Sequence, residues 1–285
     1  MLRADRIPPA LLVLAAVASV QFGGALAKTL FDDIGPGGTV FLRVLFAAIV
    51  LTALWRPAVA GRSAADWRLL LSYGVALVAM NLSFYEALER IPLGIAVTFE
   101  FVGPLGVAVF GSRRALDLVW VALAATGIVL LSDFGNADFD GLGVALALVA
   151  GCFWAAYILL AARVGRAYPG GQGLALAMGA GALMLAPVGA ADGGGDLLGL
   201  GVLATGFGAA VLSSAIPYTL ELEALRRMPQ GVFGVMMSLE PAMAALAGFI
   251  VLDEGLATRE LVAIVLVVTA SAGAARGAAV PTRDA

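Results

Sequence analysis

The sequence predicts an all-α integral membrane protein with ten transmembrane helices, arranged as two inverted five-helix repeats. Of its 285 residues, 61% are hydrophobic and only 13% are charged, whereas an average soluble domain has about 25% charged residues. Ten mostly apolar segments each approach the roughly 20 residues that a membrane helix needs. Short sequence matches also relate the two halves of the chain.

The composition excludes several classes of protein and of site. With no histidine and with Cys152 as the single cysteine, the chain lacks the residues for a Ser-His-Asp triad, an intramolecular disulfide or a cysteine-based metal cluster. The 17 basic residues are outnumbered by 20 acidic ones, which leaves no basic face for nucleic acid. We therefore expect no enzyme activity, no metal or cofactor, and no nucleic-acid partner.

The ten predicted spans follow one another through short connections that are rich in turn residues. Examples are Gly35-Pro36, Tyr168-Pro169-Gly170 and the three glycines 193–195. The spans are expected, within about 2–4 residues at each end, at 9–30, 36–55, 67–90, 92–111, 115–132, 140–162, 170–191, 196–222, 229–251 and 257–276.

The first segment also has the outline of a secretory signal peptide. Arg3 and Arg6 precede an apolar stretch, and the small residues Ala25 and Ala27 resemble a cleavage site. A permanent span is favoured because the segment is long enough to cross a membrane and carries Gln21 and Lys28, which a disposable leader does not need.

The distribution of arginine predicts the orientation of the spans, since cytoplasmic loops are enriched in Lys and Arg. With both termini in the cytoplasm, 13 of the 17 basic residues lie on the inner side. They are Arg3, Arg6, Arg56, Arg62, Arg68, Arg113, Arg114, Arg163, Arg166, Arg226, Arg227, Arg276 and Arg283. The outer loops then hold Asp32, Asp33, Asp133, Asp138, Asp140, Asp192, Asp196, Asp253 and Glu254, with Arg90 and Arg259 as basic exceptions.

The internal repeat is visible at an offset of 137 residues. Residues 87–94 resemble residues 224–231, and the same offset places Pro104 on Pro241. Chance matches in a chain this rich in glycine and proline are the alternative explanation.

Each half of the predicted repeat holds five spans, with the first domain at 9–132 and the second at 140–276. Because five is odd, the second copy enters the membrane upside down. Inverted repeats are typical of transporters, in which two related packings give an outward-facing and an inward-facing state.

Three ionisable side chains are predicted near mid-membrane, where each costs roughly 2.5–3.5 kcal/mol. Arg43 lies in the second span, Glu100 in the fourth and Glu240 in the ninth, and Gln21 has a similar depth in the first. They either form a buried ion pair that fixes the packing or line a central cavity. We favour a mixture, with one pair that orients the site and one acid that carries a proton.

Prolines accompany these acids. Pro104 follows Glu100 by four residues, Pro241 directly follows Glu240, and Pro217 lies in the eighth span. Because a proline frees a carbonyl oxygen in the preceding turn, each acid is expected beside a helix break that faces protein or a watery cavity.

Further polar residues share helix faces. Asn81 and Tyr85 are four residues apart, so they lie on one face of the third span. Trp154 and Tyr157 share a face of the sixth span, where simple packing is the alternative to ligand binding. Ser214, Tyr218 and Glu221 share a face of the eighth span. The predicted substrate-binding residues are Gln21, Arg43, Asn81, Tyr85, Glu100, Trp154, Tyr157, Ser214, Tyr218 and Glu240, with Glu100 and Glu240 also as proton-coupling residues.

Motifs along essentially the whole chain carry a family resemblance. They are the stretches 21–31, 80–81, 84–85, 92–97, 100–101, 103–105, 112–114, 153–159, 217–221, 233–234 and 237–242. With these motifs the chain resembles the drug/metabolite transporter superfamily with two EamA-type domains. Ser238-Leu239-Glu240-Pro241 is shared by many of its members, whereas residues 27–31 and 92–97 are more specific to amino-acid exporters. The first helix has Gln21-Phe22-Gly23 where Trp-Gly often stands, which leaves the substrate more open than the fold.

The resemblance implies ten helices around a central cavity in a bacterial inner membrane. It also implies export of small amino acids, threonine and homoserine first, in exchange for protons. A zwitterion fits the residues independently, with Arg43 for the carboxylate and Glu100 or Glu240 for the ammonium group. Asn81, Ser214 and Tyr218 suit a hydroxyl group. The alternatives are export of another metabolite or drug on the same scaffold and, less favoured, a membrane enzyme or scaffold protein. The sequence indicates no oligomeric state.

Overall fold

A computed structural model of the chain describes residues 7–91, 93–112, 114–131, 140–243 and 258–279. Within these residues all regular elements are helices, as the sequence predicts. Helices suit a membrane because their backbone hydrogen bonds are made within one segment. Among the residues used above for topology and motifs, Arg3, Arg6, Pro92, Arg113, Asp133, Asp138, Asp253, Glu254 and Arg283 lie outside the described residues.

The described residues of the first half form six helices. A capping box starts the third, because the Ser63 hydroxyl accepts a hydrogen bond from the Asp66 amide at 3.1 Å and the Asp66 carboxylate accepts one from the Ser63 amide at 2.9 Å. The helices are α1 (Pro9–Lys28), α2 (Phe31–Trp55), α3 (Ala64–Leu88), α4 (Leu93–Glu100), α5 (Val102–Gly111) and α6 (Ala115–Leu131).

The second half of the chain also consists of helices where the structure describes it. The Asp140 carboxylate caps the first of them by accepting a hydrogen bond from the Leu142 amide at 2.8 Å. The helices are α7 (Gly141–Ala167), α8 (Gln172–Gly193) with a 3₁₀ turn (Gly194–Leu198), α9 (Leu200–Ala210), a π-helical segment (Val211–Ala215), α10 (Ile216–Arg227), α11 (Gln230–Met237) and α12 (Thr258–Ala279).

Six helical stretches in the described residues are long and apolar enough to cross a membrane. They are Pro9–Lys28, Phe31–Trp55, Ala64–Leu88, Gly141–Ala167, Gln172–Leu198 and Leu200–Arg227. Three shorter apolar stretches are Ile95–Gly111, Ala115–Leu130 and Leu261–Arg276. Residues 244–251, which end the ninth predicted span, lie outside the described residues.

Two helix breaks lie where proline and glycine predict them. Gly35 has a φ of 65° and interrupts α2 just before Pro36, a conformation that glycine adopts at little cost. The predicted start of the second span at residue 36 therefore coincides with a kink rather than with a helix end. Phe101 separates α4 from α5, between Glu100 and Pro104.

The most extensive helix contacts join the two halves of the chain. α1 packs on α10, α2 on α8, α3 on α7, α5 on α11 and α6 on α12. Small residues allow these close approaches: the Gly103 Cα lies so near the Gly151 carbonyl oxygen that a methyl group would overlap it. The core between the halves holds the fully buried rings of Tyr73, Tyr157, Phe101 and Phe233.

Arg226 ties the end of α10 to the connection between α7 and α8. Its guanidinium donates hydrogen bonds to the carbonyl oxygens of Gly165 at 2.6 Å, Tyr168 at 2.9 Å and Gly170, and it pairs with Glu223 at 2.7 Å. A cation beside the last carbonyls of a helix is favourable because of the helix dipole. Arginine thus closes the C-terminal end of α7.

Candidate functional site

Arg43 is the buried cation at the centre of the candidate site. It is 6% exposed, and its guanidinium donates hydrogen bonds to the Tyr85 hydroxyl and, at 3.3 Å, to the Ser214 hydroxyl. It also donates to the Ser213 carbonyl oxygen at 3.2 Å. Pro217 lies four residues after Ser213 and has no N–H for this carbonyl, so the proline makes an acceptor available to Arg43.

The expected ion pair between Arg43 and a glutamate is not formed. Among the described residues, no carboxylate oxygen lies within 4 Å of the guanidinium, and its Nε atom has no hydrogen-bond partner. Hydroxyl and carbonyl groups from α3 and the π-helical segment surround the cation instead. Its charge is therefore free to meet an anionic group.

Asn81 and Tyr218 form the second contact of the site. The Asn81 amide donates a hydrogen bond to the Tyr218 hydroxyl at 2.9 Å and another to the Leu77 carbonyl oxygen at 2.8 Å. Asn81 and Tyr218 are 137 residues apart, which is the offset of the internal repeat. This contact joins α3 to α10 directly beside Arg43, which interacts electrostatically with Tyr218.

Tyr157 and Glu221 form the third contact. The Tyr157 hydroxyl donates a hydrogen bond to the Glu221 carboxylate at 2.7 Å, and both residues are buried. The Tyr157 ring stacks on the Tyr73 ring at 5.6 Å and lies 5.5 Å from the Tyr218 ring. Ser214, Tyr218 and Glu221 thus present the three contacts in order along one helical face, as their spacing predicts.

Glu100, Glu240, Gln21 and Trp154 form a second group. Glu100 is 8% exposed, and Glu240 is half-buried and close enough to Glu100 to interact electrostatically. The Gln21 amide donates to the Glu240 carbonyl oxygen at 3.1 Å. Trp154 packs edge-on against Phe101 at 4.8 Å, which places it at the break between α4 and α5.

The structure therefore divides the ten predicted residues into two neighbouring sets. Six of them lie in the contacts around Arg43, which we call the central cluster: Arg43, Asn81, Tyr85, Tyr157, Ser214 and Tyr218. The other four lie in the acidic group: Gln21, Glu100, Trp154 and Glu240.

Two residues that pack beside the central cluster are missing from the predicted set of binding residues. Glu221 shares its helix face with Ser214 and Tyr218, so the periodic spacing already indicated that it points inward. Tyr73 was not distinguishable from a packing residue, because its position beside Tyr157 depends on how α3 and α7 pack.

The described residues contain no group of three or more His, Cys, Asp or Glu side chains suited to a metal ion. A groove of about 530 Å³ lies between α5 and α7, and mostly apolar side chains such as Phe110 and Leu159 line it. Exposed side chains such as Val102 line it, and none of the central-cluster residues does.

Comparisons with known proteins agree with this architecture. The model of the EamA-like transporter family matches residues 7–132 and 141–275. The chain is 43% identical to threonine/homoserine exporter RhtA of Escherichia coli strain K12 over 268 residues, which cover 93% of this chain and 90% of that protein. The protein of the same name from Salmonella typhimurium strain LT2 is 42% identical over the same shares. A solved crystal structure with 18% identity has a TM-score of 0.79 and covers 95% of this chain and 97% of its own, which shows a shared fold.

Proposed function

The chain belongs to the EamA-like transporter family, and from this we propose that it exports threonine, homoserine and similar small hydroxylated amino acids by alternating access. Membership confirms the resemblance seen in the sequence and makes the chain a multi-pass membrane protein. Its curated relatives are exporters rather than enzymes. Their names supply the proposed substrate. The identity of 43% over 93% of the chain supports assigning the same substrate to this protein.

The transport cycle rests on ten helices in two inverted repeats, one at 9–132 and one at 140–276. The helix contacts support this arrangement. Exchanging the halves replaces α1 by α7, α2 by α8, α3 by the α9–α10 helix, α4–α5 by α11, and α6 by α12. Under this exchange the pairs α2–α8, α5–α11 and α6–α12 return to themselves, and α1–α10 becomes α7–α3. All five of the most extensive contacts are thus consistent with an approximate twofold axis.

The buried Arg43 without a carboxylate partner is the observation that carries the assignment of the substrate site. A cation at this depth is costly and calls for an anion, and a guanidinium binds a carboxylate in a two-pronged geometry. Arg43 already holds neutral hydroxyl and carbonyl partners and keeps a buried Nε atom unpaired. We assign it to the carboxylate of the transported amino acid.

The remaining groups of a threonine-type substrate have partners nearby. Glu100 and Glu240 are assigned to the ammonium group and to the exchanged protons. Asn81, Ser214 and Tyr218 are assigned to the substrate hydroxyl. The other predicted binding residues complete the walls around them: Gln21, Tyr85, Trp154 and Tyr157.

The proposed location is the bacterial inner membrane, with both termini in the cytoplasm. The placement of arginine supports this orientation. In it, the end of α10 with Arg226 faces the cytoplasm. Export then moves the amino acid from that side to the side of the 3₁₀ turn at Gly194–Leu198.

Transport by purified protein in proteoliposomes tests the proposal. Labelled threonine exchanges against internal threonine when the pH is equal on both sides, and a pH gradient drives net accumulation. The variants Glu100→Gln and Glu240→Gln lose both activities, because each removes an ammonium partner and a proton acceptor. Asp196→Asn, which alters an exposed acid, serves as the matched control and keeps both.

Full pH-driven transport in both glutamine variants would overturn the assignment of these acids. A panel of labelled solutes tests which class of substrate the protein transports. Exchange of a nucleobase, sugar or lipophilic drug in place of threonine and homoserine would overturn the proposed substrate.

A further inference from the structure

Glu221 is a buried acid that has no role in the substrate contacts assigned above. It is 3% exposed, and its carboxylate accepts one hydrogen bond, from the neutral Tyr157 hydroxyl at 2.7 Å. No arginine or lysine nitrogen of the described residues lies within 4 Å of it. Burying a carboxylate without a cation costs free energy. Packing alone does not account for an acid at this position.

The surroundings of Glu221 contain acids and phenols. Tyr157 approaches from α7, and Tyr73 lies behind it on α3. Tyr218 precedes Glu221 on α10, and Glu240, beyond α11, is within electrostatic reach. On α1, which packs on α10, Lys28 is the titratable side chain, and it lies at the far end, since Arg227 of α10 contacts Ile7 near the start of α1.

The contact between Tyr157 and Glu221 suits either charge state of the acid. The phenol donates its proton to a carboxylate, and by turning its O–H away it accepts one from a neutral carboxyl group. The geometry therefore holds the side chain in place while a proton arrives or leaves.

Glu221 and the Arg43 contact lie at different levels of the same continuous helix. Arg43 contacts Ser214, and the seven residues from Ser214 to Glu221 rise about 10 Å along a helix. The carboxylate and ammonium groups of an α-amino acid are bonded to the same carbon atom. Tyr218 lies between the two levels, so an amino acid held by Arg43 has Tyr218 as its nearer partner on α10.

We propose that Glu221, held by the Tyr157 hydroxyl, is a proton-binding site beside the substrate contacts and on their cytoplasmic side. This inference rests on the proposed exchange of amino acid for protons. Glu221 lies between Tyr218 and Arg226 along α10, and Arg226 marks the proposed cytoplasmic end. In the outward-facing state a proton from the external water binds one carboxylate oxygen of Glu221. In the inward-facing state the same proton leaves to the cytoplasm.

The proposed internal repeat makes the proton site asymmetric, because the matched position in the other half differs. At the offset of 137 residues, the position equivalent to Glu221 is Phe84. The matched position of the first half therefore holds no acid. A proton site on one side of an otherwise repeated structure gives the two states different affinities for protons.

The Glu221→Gln variant tests the proposal, because glutamine keeps the size and the acceptor oxygen but takes up no proton at these pH values. We expect threonine exchange at equal pH to stay within about two-fold of wild type. Accumulation driven by a pH gradient falls at least ten-fold. Glu100→Gln and Glu240→Gln differ, because they lose the exchange as well. Retention of the pH-driven accumulation in Glu221→Gln would overturn the proton site alone.

A second measurement does not depend on any substrate. Infrared difference spectra of the purified protein between high and low pH contain a carboxyl C=O band, which Glu221→Gln removes and Asp196→Asn keeps. Tyr157→Phe retains the acid and shifts the band and its midpoint, which covers the case in which Glu221→Gln fails to fold. An unchanged band in both variants would overturn the proton site. Absence of threonine exchange in the wild type, with the band behaving as expected, would overturn the proposed function instead.

Discussion

The environment of Arg43 depends on a proline in another helix. Pro217 gives no N–H to the Ser213 carbonyl oxygen, and Arg43 donates to that oxygen at 3.2 Å. The Tyr85 and Ser214 hydroxyls complete a neutral set of partners. A charge held only by neutral groups keeps its attraction for an anion, which a glutamate partner would have cancelled.

Replacing Arg43 by lysine tests the two-pronged geometry. Lysine keeps the charge but presents a single ammonium group instead of a planar fork. We expect the half-saturation concentration for threonine exchange to rise at least ten-fold, which corresponds to about 1.4 kcal/mol. Arg163→Lys, on the exposed surface of α7, is the control. An unchanged half-saturation value in Arg43→Lys would exclude a carboxylate bound at Arg43.

At this scale the sequence predicted which ionisable side chains are removed from the surface better than it predicted their partners. Arg43, Glu100 and Glu240 stand out because ionisable residues are rare inside membrane spans. The partner of Arg43 was expected to be a glutamate and is instead a set of hydroxyl and carbonyl groups. Partners come from helices far apart in the chain, so they depend on packing that a single sequence does not encode locally.

The break between α4 and α5 illustrates how one helix is fitted to another. Pro104 gives no N–H to the Glu100 carbonyl oxygen, and the helix is interrupted at Phe101. Two glycines let α5 approach α7 closely, because Gly103 and Gly151 leave room only for each other's backbone. The contact between α5 and α7 therefore helps to position Glu100, at the end of α4.

A methyl group at this contact is expected to separate the helices. Gly103→Ala would place its Cβ on the Gly151 carbonyl oxygen, and overpacking of this kind costs about 1–3 kcal/mol. Thermal unfolding in detergent should show a midpoint several degrees lower. Gly106→Ala, on the same helix with nothing within 4 Å of its Cβ, should leave the midpoint unchanged. Equal midpoints for both variants would contradict the close packing.

Arg226 offers a second test at the level of elements. Arg226→Gln removes the charged donor from three carbonyl oxygens at the end of α7, and hydrogen bonds to charged groups contribute about 1.5–3 kcal/mol each. We expect a lower unfolding midpoint and faster proteolysis at residues 168–171. Arg166→Gln, which changes an exposed arginine of α7, should alter neither measurement. Identical cleavage in both variants would argue against a closing role for Arg226.

The lengths of the hydrophobic segments predicted where the helices lie. Irregularities within the helices were predictable only where a proline or glycine marks them. The kink at Gly35 and the break before Pro104 were predictable for that reason. The π-helical segment at Val211–Ala215 was not, although Pro217 indicated some distortion nearby. Its form depends on groups of α1 and α2, such as the Ser19 hydroxyl, which donates to the Leu212 carbonyl oxygen at 2.5 Å.

The whole molecule is held together mainly between its halves. Short matches in the sequence predicted two related halves, but not that the largest contacts run from one to the other. Such interlocking places the contacts of Arg43 and Asn81 between the halves: α2 and α3 supply Arg43, Tyr85 and Asn81, whereas the later helices supply Ser214 and Tyr218.

The proposed orientation can be measured by cysteine labelling. In a Cys152→Ala background, Ala60→Cys and Asp196→Cys each place one thiol at an exposed connection. A membrane-impermeant maleimide added to intact spheroplasts should label Asp196→Cys but label Ala60→Cys only after lysis. The reverse pattern would place the termini outside and would also invert the direction assigned to transport.

The hydrogen bond between Asn81 and Tyr218 links positions that the proposed internal repeat makes equivalent. Under the proposed exchange of conformations, each half adopts the shape the other has just left, so a bond between matched positions maps onto itself. It can survive the whole cycle while contacts at either end of the bundle are broken and remade. The pair would then lie at the pivot of the conformational change, and the transported molecule would bind beside a contact that is kept in both states.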